Sequence, residues 1–448
     1  MNILVLNGSP KGDYSITLQT VNYLQKKFPE EQFQVLNVGM KIKSLQKDFS
    51  KAARMIQEAD LLLFSYPVYT FIAPCQLHKF IELMKTNKVD VRGKMASQIT
   101  TSKHFYDTTA HRYVQDNAQE MGMNFIRGLS ADMDDLTTEK GRNEAESWWK
   151  HLVWCARNQY FEPYFPLAEP TAPIPVTALE ENCGEKPGDV VIIADLPPEN
   201  TQLAGMIARF RKKLPYATRV VNLQEYPFSG GCLGCFRCAV SGKCVHKDGF
   251  DEFLRKQIQK ADAMVYAFAI KDHSMGALFK MYDDRQFCNG HRTVTIGMPV
   301  GYLISGNLSK EENLRTIIEG RAQVGSNILA GIATDEVDTD ASIDAFAANL
   351  AYALENKNTG PQNFYGVGGM KIFRDLIYQM RGFMRADHKF FKSHGQYDFP
   401  QKKWAQSLAM YAVGALIANP KVHSKMGGKM NEGMLMPYEK LFQKMDKK

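Results

Sequence analysis

The chain has no run of apolar residues that approaches the roughly 18 needed to cross a bilayer, so we expect no membrane span. Its first residues, MNILVLNGSP, lack a basic segment and enter a predicted strand at once, which argues against a signal peptide. No GxGxxG fingerprint, Walker loop or Arg-rich block accompanies the net charge of +7. These absences favour a cytoplasmic protein that binds no nucleic acid.

Cysteine is scarce outside one short stretch. Four of the eight cysteines fall within the thirteen residues of CLGCFRCAVSGKC, the cysteine loop: Cys232, Cys235, Cys238 and Cys244. The other four have no spaced partner and are expected to be small buried side chains: Cys75, Cys155, Cys183 and Cys288.

The spacing of the cysteine loop predicts a ligand set. An iron–sulfur cluster needs four converging thiolates with backbone N–H groups near its sulfides, and Gly230, Gly231 and Gly234 let the backbone curl that closely. Zinc is the alternative, although structural zinc sites usually divide into two knuckles, and plain thiols are a third interpretation. Disulfides are not expected in a long chain without a signal peptide. Redox chemistry is the leading hypothesis.

Apolar runs rich in β-branched residues alternate with amphipathic stretches from the first residue onward, which predicts a doubly wound parallel α/β sheet. Five strands and five helices fit the flavodoxin-like order. The strands are predicted at 2–7, 33–38, 61–66, 95–101 and 124–127.

The pattern then restarts, which predicts a tandem duplication. QEADLLLFSYPVY matches QKADAMVYAFAIK, so that Asp60 and Asp262 correspond at a separation of 202 residues, whereas Asn7 and Asp195 are 188 apart. The difference is about the length that the cysteine loop adds. We therefore predict a first copy, a Pro-rich linker, a second and degenerate copy, and a helical C-terminal extension across the two domains: 1–162, 163–187, 188–358 and 359–448.

A polar loop follows the first predicted strand. Its residues 8–17, which we name the phosphate loop, precede a helix whose N–H groups and dipole attract phosphate. Ser9, Ser15 and Thr17 offer hydroxyl groups and Lys11 a positive charge, which suits a monophosphate such as that of FMN. Loops after the third and fourth strands converge at the same sheet edge and are expected to line the ring: Pro67, Val68, Tyr69, Thr101 and Ser102. Candidate catalytic residues follow in the second of these loops: His104 and Tyr106.

With these motifs the sequence resembles the NADPH-dependent FMN reductases and iron–sulfur flavoproteins of the flavodoxin-like superfamily. NGSPKG and SYPVY carry the resemblance over about 1–160, and CLGCFRCAVSGKCVHKDGF and ALFKMYDDR carry it over about 188–355. It implies a 4Fe–4S cluster on the four cysteines and an FMN whose phosphate and ring are held by Ser9, Lys11, Ser15, Ile16, Thr17, Pro67, Val68 and Tyr69. The flavin loops and the cysteines belong to different copies, so we expect the copies to pack as an internal pseudo-dimer; a homodimer stays open.

The sequence thus predicts an FMN-dependent oxidoreductase. Electrons from NAD(P)H or a reduced carrier would pass through FMN, with a 4Fe–4S cluster, to a small-molecule or protein acceptor. Two alternatives stay open: a non-catalytic electron-transfer or redox-responsive flavoprotein, and a zinc-stabilised FMN reductase.

Overall fold

A computed structural model describes residues 1–166, 171–179, 185–418, 435, 438–439 and 441–446. The chain forms two compact units, Met1–Phe390 and Phe391–Lys448, and both sheets lie in the first of them. The prediction for Cys183 falls outside the described residues. The four predicted domain boundaries stay a prediction.

The first copy contains a parallel sheet in the order β2-β1-β3-β4, with two short strands that both pair with β4. Its central strands are buried on both faces, as their continuous apolar sequences require. The strands are β1 Asn2–Asn7, β2 Gln32–Leu36, β3 Leu61–Pro67, β4 Met95–Ser102, β5 Asn124–Phe125 and β6 Leu129–Asp132. The helices are α1 Ile16–Lys27, α2 Ile42–Lys47, α3 Ser50–Glu58, α4 Cys75–Thr86, α5 Asp107–Glu120 and α6 Glu139–Asn158.

The second copy repeats this topology. Its parallel sheet has the order β8-β7-β9-β10-β11, the same 2-1-3-4-5 order as the first, so the predicted pair of flavodoxin-like folds in tandem is confirmed. The strands are β7 Val190–Ala194, β8 Thr218–Asn222, β9 Ala263–Ala269, β10 Pro299–Ser305 and β11 Ile328–Thr334. The helices are α7 Thr201–Lys213, α8 Arg237–Ser241, α9 Phe250–Phe253, α10 Gly276–Arg285, α11 Glu312–Val324 and α12 Thr339–Asn356.

Strand register refines the predicted correspondence. Asn2 and Asp189 each donate a backbone N–H to a carboxylate at 2.8 Å, from Asp60 and Asp262 respectively, so the 202-residue match is confirmed. The pairing of Asn7 with Asp195 is wrong by one residue, since the register equates Asn7 with Ala194.

The fifth strand of the first copy also differs from its prediction at 124–127. It divides into β5 and β6, and Gly128 lies between them. A Cβ on Gly128 would lie 2.3 Å from Gln98 Cγ, so only glycine allows the chain to pass β4 this closely.

Equivalent helices of the two copies pack against each other, α4 against α10 and α5 against α11. The N–H of Cys75 donates to Asp284 Oδ2 at 2.8 Å, and the N–H of Ala277 donates to Glu82 Oε1 at 2.8 Å. The two donors are 202 positions apart and so are the two carboxylates, so the contacts repeat with approximate two-fold symmetry. Each carboxylate thereby caps the other helix at its N-terminus, where N–H groups lack acceptors.

Helices also follow the second copy, as predicted for the extension. They are α13 Phe364–Gln379, α14 Arg385–Ser393 and α15 Trp404–Ile417. Helix α13 packs against α11. Among the described residues, no helix combines the length and apolarity that crossing a bilayer requires.

Candidate functional site

The phosphate loop is held by the buried side chain of Asn7. Its Nδ2 donates to Gly12 O at 2.9 Å and to Asn37 Oδ1 at 2.8 Å, while its Oδ1 accepts from Ser9 N at 3.2 Å. Gly12 has a φ of 56°, which favours glycine. The loop is therefore shaped by protein contacts alone.

Helix α1 begins directly after this loop. The Ser15 side chain caps the helix by accepting from Leu18 N at 3.4 Å. The N–H groups of Ile16 and Thr17 have no intrahelical acceptor, by the geometry of a helix start. The buried Thr17 hydroxyl also has no hydrogen-bond partner in the part of the chain that the structure describes. Unpaired donors and the helix dipole meet at this point, which suits an anion.

The loop after β3 makes a tight turn. Tyr69 N donates to Ile72 O at 2.8 Å, and Ile72 N donates back to Tyr69 O at 3.2 Å. Thr70 and Phe71 between them have φ values of 44° and 74°, which are uncommon for residues other than glycine. Such backbone strain is frequent at functional sites.

The cysteine loop of the second copy docks on the first copy. Lys43 Nζ donates to Ser229 O at 2.6 Å, and Gln76 Nε2 donates to Cys232 O at 3.2 Å. A Cβ on Gly234 would lie 1.7 Å from Tyr69 Oη, and Gly234 also has a φ of 60°. Only glycine lets the cysteine loop approach the β3 loop this closely.

A buried ion pair anchors the cysteine loop from the second copy. Arg285 Nη1 and Nη2 donate to the Asp248 carboxylate at 2.8 and 2.7 Å, and Nη1 also reaches Gly230 O at 2.7 Å. Ser229 donates to Asp248 twice, through N at 3.0 Å and Oγ at 2.8 Å. Burial disfavours the charge, but Arg285 and Ser229 together hold the pKa of Asp248 well below its usual range.

A cavity lies between the two copies, and we name it the inter-copy cavity. All ten residues predicted to hold a cofactor line it: Ser9, Lys11, Ser15, Ile16, Thr17, Pro67, Val68, Tyr69, Thr101 and Ser102. All four cysteines of the cysteine loop line it as well: Cys232, Cys235, Cys238 and Cys244. Together with its open mouth it comprises about 1360 Å³.

The thiols in this wall are partly desolvated. Burial raises the pKa of Cys232. Burial, followed by the charges of Asp387, Cys235 and Cys244, raises the pKa of Cys238 to about 11. A thiolate at either position therefore needs a positive partner, which a bound metal centre supplies. Of the scattered cysteines, the three described are free and buried: Cys75, Cys155 and Cys288.

The two catalytic candidates do not line the inter-copy cavity. His104 is half-exposed and its Nδ1 lies 2.8 Å from Asp107 Oδ2. Tyr106 is the N-cap residue of α5, and its ring packs edge-on against Phe71 at a centroid distance of 4.3 Å. Their roles stay predictions.

Several residues that line the inter-copy cavity were not predicted from the sequence. Arg285 ends the ALFKMYDDR motif, but nothing local indicates that it reaches Asp248, 37 positions earlier. Phe236 lies within the cysteine loop, and Lys11 Nζ is 5.6 Å from its ring centroid. Helix α13 contributes Phe373, and the Phe- and Met-rich extension was its only signal.

The first copy has a counterpart among known families. Residues 1–134 match the NADPH-dependent FMN reductase family. This range includes β1 to β6 and all ten predicted cofactor residues, and it ends well before the cysteine loop. The NGSPKG and SYPVY motifs therefore lie in the matched part of the chain, whereas CLGCFRCAVSGKCVHKDGF and ALFKMYDDR lie outside it.

The chain is also similar to an iron–sulfur flavoprotein of Clostridioides difficile (strain 630), with 23% identity over 100 residues. That stretch covers 21% of this chain and 44% of the relative, so the chain spans less than half of the relative's length.

Similar solved structures include an NAD(P)H:quinone oxidoreductase from Methanothermobacter marburgensis, with 13% identity and a TM-score of 0.28, covering 37% of this chain and 99% of that chain. General stress protein 14 from Treponema denticola, solved in complex with FMN, has 12% identity and a TM-score of 0.28, covering 34% of this chain and 98% of that chain. The flavodoxin-like assignment rests on the strand order of the two sheets.

Proposed function

We propose that the protein is an FMN-dependent oxidoreductase that passes electrons from NAD(P)H or a reduced carrier, through FMN and a 4Fe–4S cluster, to a small-molecule or protein acceptor. FMN would lie in the first copy and the cluster on the cysteine loop of the second. The copies would act as an internal pseudo-dimer, with the inter-copy cavity as the active site.

One observation carries this proposal. The ten predicted flavin residues and the four thiols come from different copies, yet they line the same cavity. The close contact between Gly234 and Tyr69 brings the cysteine loop against the loop that would hold the ring. A flavin and a cluster in one cavity could exchange single electrons over a short path.

The residues of the first copy fit FMN. Thr17 and Thr101 have buried hydroxyl groups that find no partner among the described residues, and both line the inter-copy cavity. Unpaired buried hydroxyls are costly unless a ligand pairs with them. The start of α1, with Ser15, Thr17 and Lys11, would hold the phosphate. Pro67 and Tyr69 would line the ring.

The donor chemistry of the cysteine loop fits a cluster. Four thiols share one wall, and Gly234 N already donates to Cys232 Sγ at 3.4 Å, the kind of N–H···S contact that stabilises cluster sulfur. Within the described residues, no three His, Cys, Asp or Glu side chains stand close enough to hold a single metal ion. The compact spacing of the four cysteines, without the two separate knuckles of most structural zinc sites, favours a cluster over zinc.

Bound FMN would supply two-electron chemistry with a nicotinamide and one-electron chemistry with a cluster. The chain's own groups orient the ligand and exclude water. Phe105 and Met133 line the cavity beside Lys103, whose Nζ lies 2.6 Å from Asp132 and 2.7 Å from Asp134. These contacts fix the loop after β4 at the cavity wall.

Anaerobic purification of the full chain, followed by assay of FMN, iron, acid-labile sulfide and zinc, tests the proposal. We expect one FMN, four iron and four sulfide per chain, in keeping with the four ligand thiols. Cys235→Ser should lose iron and sulfide but keep FMN, because Cys235 belongs only to the cysteine loop.

Cys155→Ser is the matched control, since Cys155 is a buried cysteine in α6 of the first copy. It should keep both groups. Zinc in place of iron would show that the cysteines hold a structural metal, and the protein would then be a flavin reductase without a cluster. No FMN after reconstitution would overturn the proposed function.

A further inference from the structure

Three consecutive residues of the second copy wrap around one carboxylate of the extension. His291 N donates to Asp387 Oδ2 at 3.1 Å, and His291 Nδ1 lies 2.9 Å from the same oxygen. Arg292 Nε is 3.4 Å from Oδ1, and a Cβ on Gly290 would lie 2.2 Å from it. The Asp387 side chain is fully buried. These contacts define one position for the His291 ring.

The contact with Asp387 determines which ring nitrogen is available. A carboxylate accepts hydrogen bonds, so His291 Nδ1 carries a hydrogen and Nε2 is the atom left for other partners. The ring packs edge-on against Phe373 at a centroid distance of 4.9 Å, which holds it from the side. His291 lines the inter-copy cavity.

His291 also lines a second cavity, next to the first. The two cavities share six residues and are therefore adjacent along this boundary: Thr70, Phe105, Phe287, Gly290, His291 and Phe373. The further walls of the second cavity carry three aromatic rings, those of Phe71, Tyr266 and Tyr302, among polar side chains. Both cations that line it are already paired, Arg321 with Asp283 at 2.6 Å and Arg292 with Asp387 at 3.4 Å.

Aromatic rings beside cations that are already paired suit a flat, conjugated molecule better than a free anion. Phe105 and Phe373 offer ring faces and edges at the boundary with the inter-copy cavity, and Phe71 packs against Phe105 within the second cavity. Such a molecule would have one end at the predicted flavin ring site and a polar atom near His291.

We propose that the second cavity binds the electron acceptor, a flat conjugated carbonyl compound, and that His291 Nε2 is the proton donor to its carbonyl oxygen. The inference rests on the proposed function, which supplies the hydride from reduced FMN. The hydride adds to the acceptor's carbon framework, the carbonyl π electrons move to oxygen, and that oxygen takes the proton of the His291 imidazolium. The neutral imidazole keeps its Nδ1 hydrogen and regains the other from water.

Asp387 is a positioning residue in this scheme, because it holds the ring and keeps a hydrogen on Nδ1. The charged groups around the ring are Asp387 from α14, Arg292 on the same loop, and Arg321 across the second cavity. Arg292 contacts the other carboxylate oxygen of Asp387 and so helps to fix its orientation.

The first test needs no bound cofactor. Nitrogen-15 NMR of histidine-labelled, FMN-free full chain should contain one strongly hydrogen-bonded Nδ1–H signal that disappears in His291→Gln. Asp387→Asn should shift that signal, whereas Asp107→Asn, which alters the exposed pair with His104, should not. No change in Asp387→Asn would overturn the positioning role.

The second test compares two acceptors with the FMN-loaded enzyme. Reduction of 1,4-benzoquinone needs a proton at oxygen, whereas ferricyanide takes an electron and no proton. We expect His291→Gln to slow benzoquinone reduction roughly 100-fold more than ferricyanide reduction. Asp387→Asn should slow benzoquinone reduction more than ferricyanide reduction as well, by a smaller factor.

Equal rates for wild type and His291→Gln with benzoquinone, or an equal fall with both acceptors, would overturn the proton-donor role alone. If wild type reduces neither acceptor, the proposed function fails and the inference fails with it.

Discussion

In the first copy the turn after β3 presents Thr70 and Phe71 to the second cavity, whereas in the second copy the turn after β9 places Asp272 and His273 in an ion-pair network. The backbone is the same: Lys271 and Ser274 exchange two hydrogen bonds as Tyr69 and Ile72 do, and all four central residues have positive φ. One copy uses the turn for a cavity and the other uses it for packing. The backbone geometry of the turn is common to both copies of the fold, whereas the side chains differ and give each turn its own role.

The sheet edges differ in the same way. In the second copy, Asn307 pairs with Thr171 through Nδ2 and Oδ1, and Asp335 accepts from Ser305 Oγ and Gly306 N at 2.7 and 2.8 Å. Protein groups thus occupy these particular donors and acceptors of the second copy. The first copy leaves the hydroxyl of Thr17 unpaired at its own edge, so ligand binding is expected there.

The largest loss of stability is expected when the cysteine loop is detached from the second copy. Asp248→Asn leaves the buried Arg285 guanidinium without a charged partner, which should cost about 3–5 kcal/mol of unfolding free energy. Asp189→Asn is the matched control, because its pair with Arg219 is partly exposed and should contribute about 0–1 kcal/mol. Urea unfolding measures both, and equal losses would contradict the anchoring role of Asp248.

Separating the cysteine loop from the first copy should have the next largest effect. Gly234→Val places a branched side chain where Tyr69 Oη lies and should cost about 1–3 kcal/mol from overpacking, with added backbone strain. Iron content should fall with it. Gly360→Val is the control, since its Cβ meets nothing within 4 Å. Full iron content in Gly234→Val would show that the loop contact is dispensable.

A third substitution tests the difference between the two sheet edges. Thr17→Val removes an unpaired hydroxyl at the start of α1 and should weaken FMN binding by about 10-fold or more, because hydrogen bonds to charged groups contribute about 1.5–3 kcal/mol. Thr201→Val, at the start of α7 in the second copy, should leave FMN binding unchanged. Fluorescence titration of FMN measures both; equal affinities would argue against a phosphate at Thr17.

The smallest expected effect is a pH dependence at the turn of the second copy. Burial opposes the charged imidazole, but hydrogen bonds and charges from Glu120 and Glu311 raise the pKa of His273 to about 9. The raised folded-state pKa gives stability that is fully present below pH 6.5 and is lost as pH rises through about 9.

Wild type should therefore lose about 1–2 kcal/mol more unfolding free energy than His273→Gln between pH 6 and 9.5, a value reduced because Glu120 is half-exposed. Urea unfolding at both pH values checks this. Equal losses of unfolding free energy in the two proteins would show that the ion-pair network is not the cause. The first copy has Phe71 at the equivalent turn position, so it offers no such titration there.

Local sequence patterns were sufficient to predict the strands and the phosphate loop. The apolar run of β1 ends at Asn7 as expected, and α1 begins one residue after Ser15, because capping and strand burial depend on neighbouring residues. The one-residue error at Asp195 arose because the prediction aligned two similar polar residues, Asn7 and Asp195. Strand register is defined instead by the hydrogen bonds between strands.

The sequence by itself determined the two parallel sheets, the compact thiol set and the hydroxyl-rich loop, because periodicity and ligand spacing are local properties. Only the tertiary structure decided that thiols and loop line one cavity. That decision rests on contacts between distant positions: Cys75 with Asp284, Gln76 with Cys232, and His291 with Asp387. No local pattern encodes such pairs, since they form only when equivalent helices pack and the extension returns to the second copy.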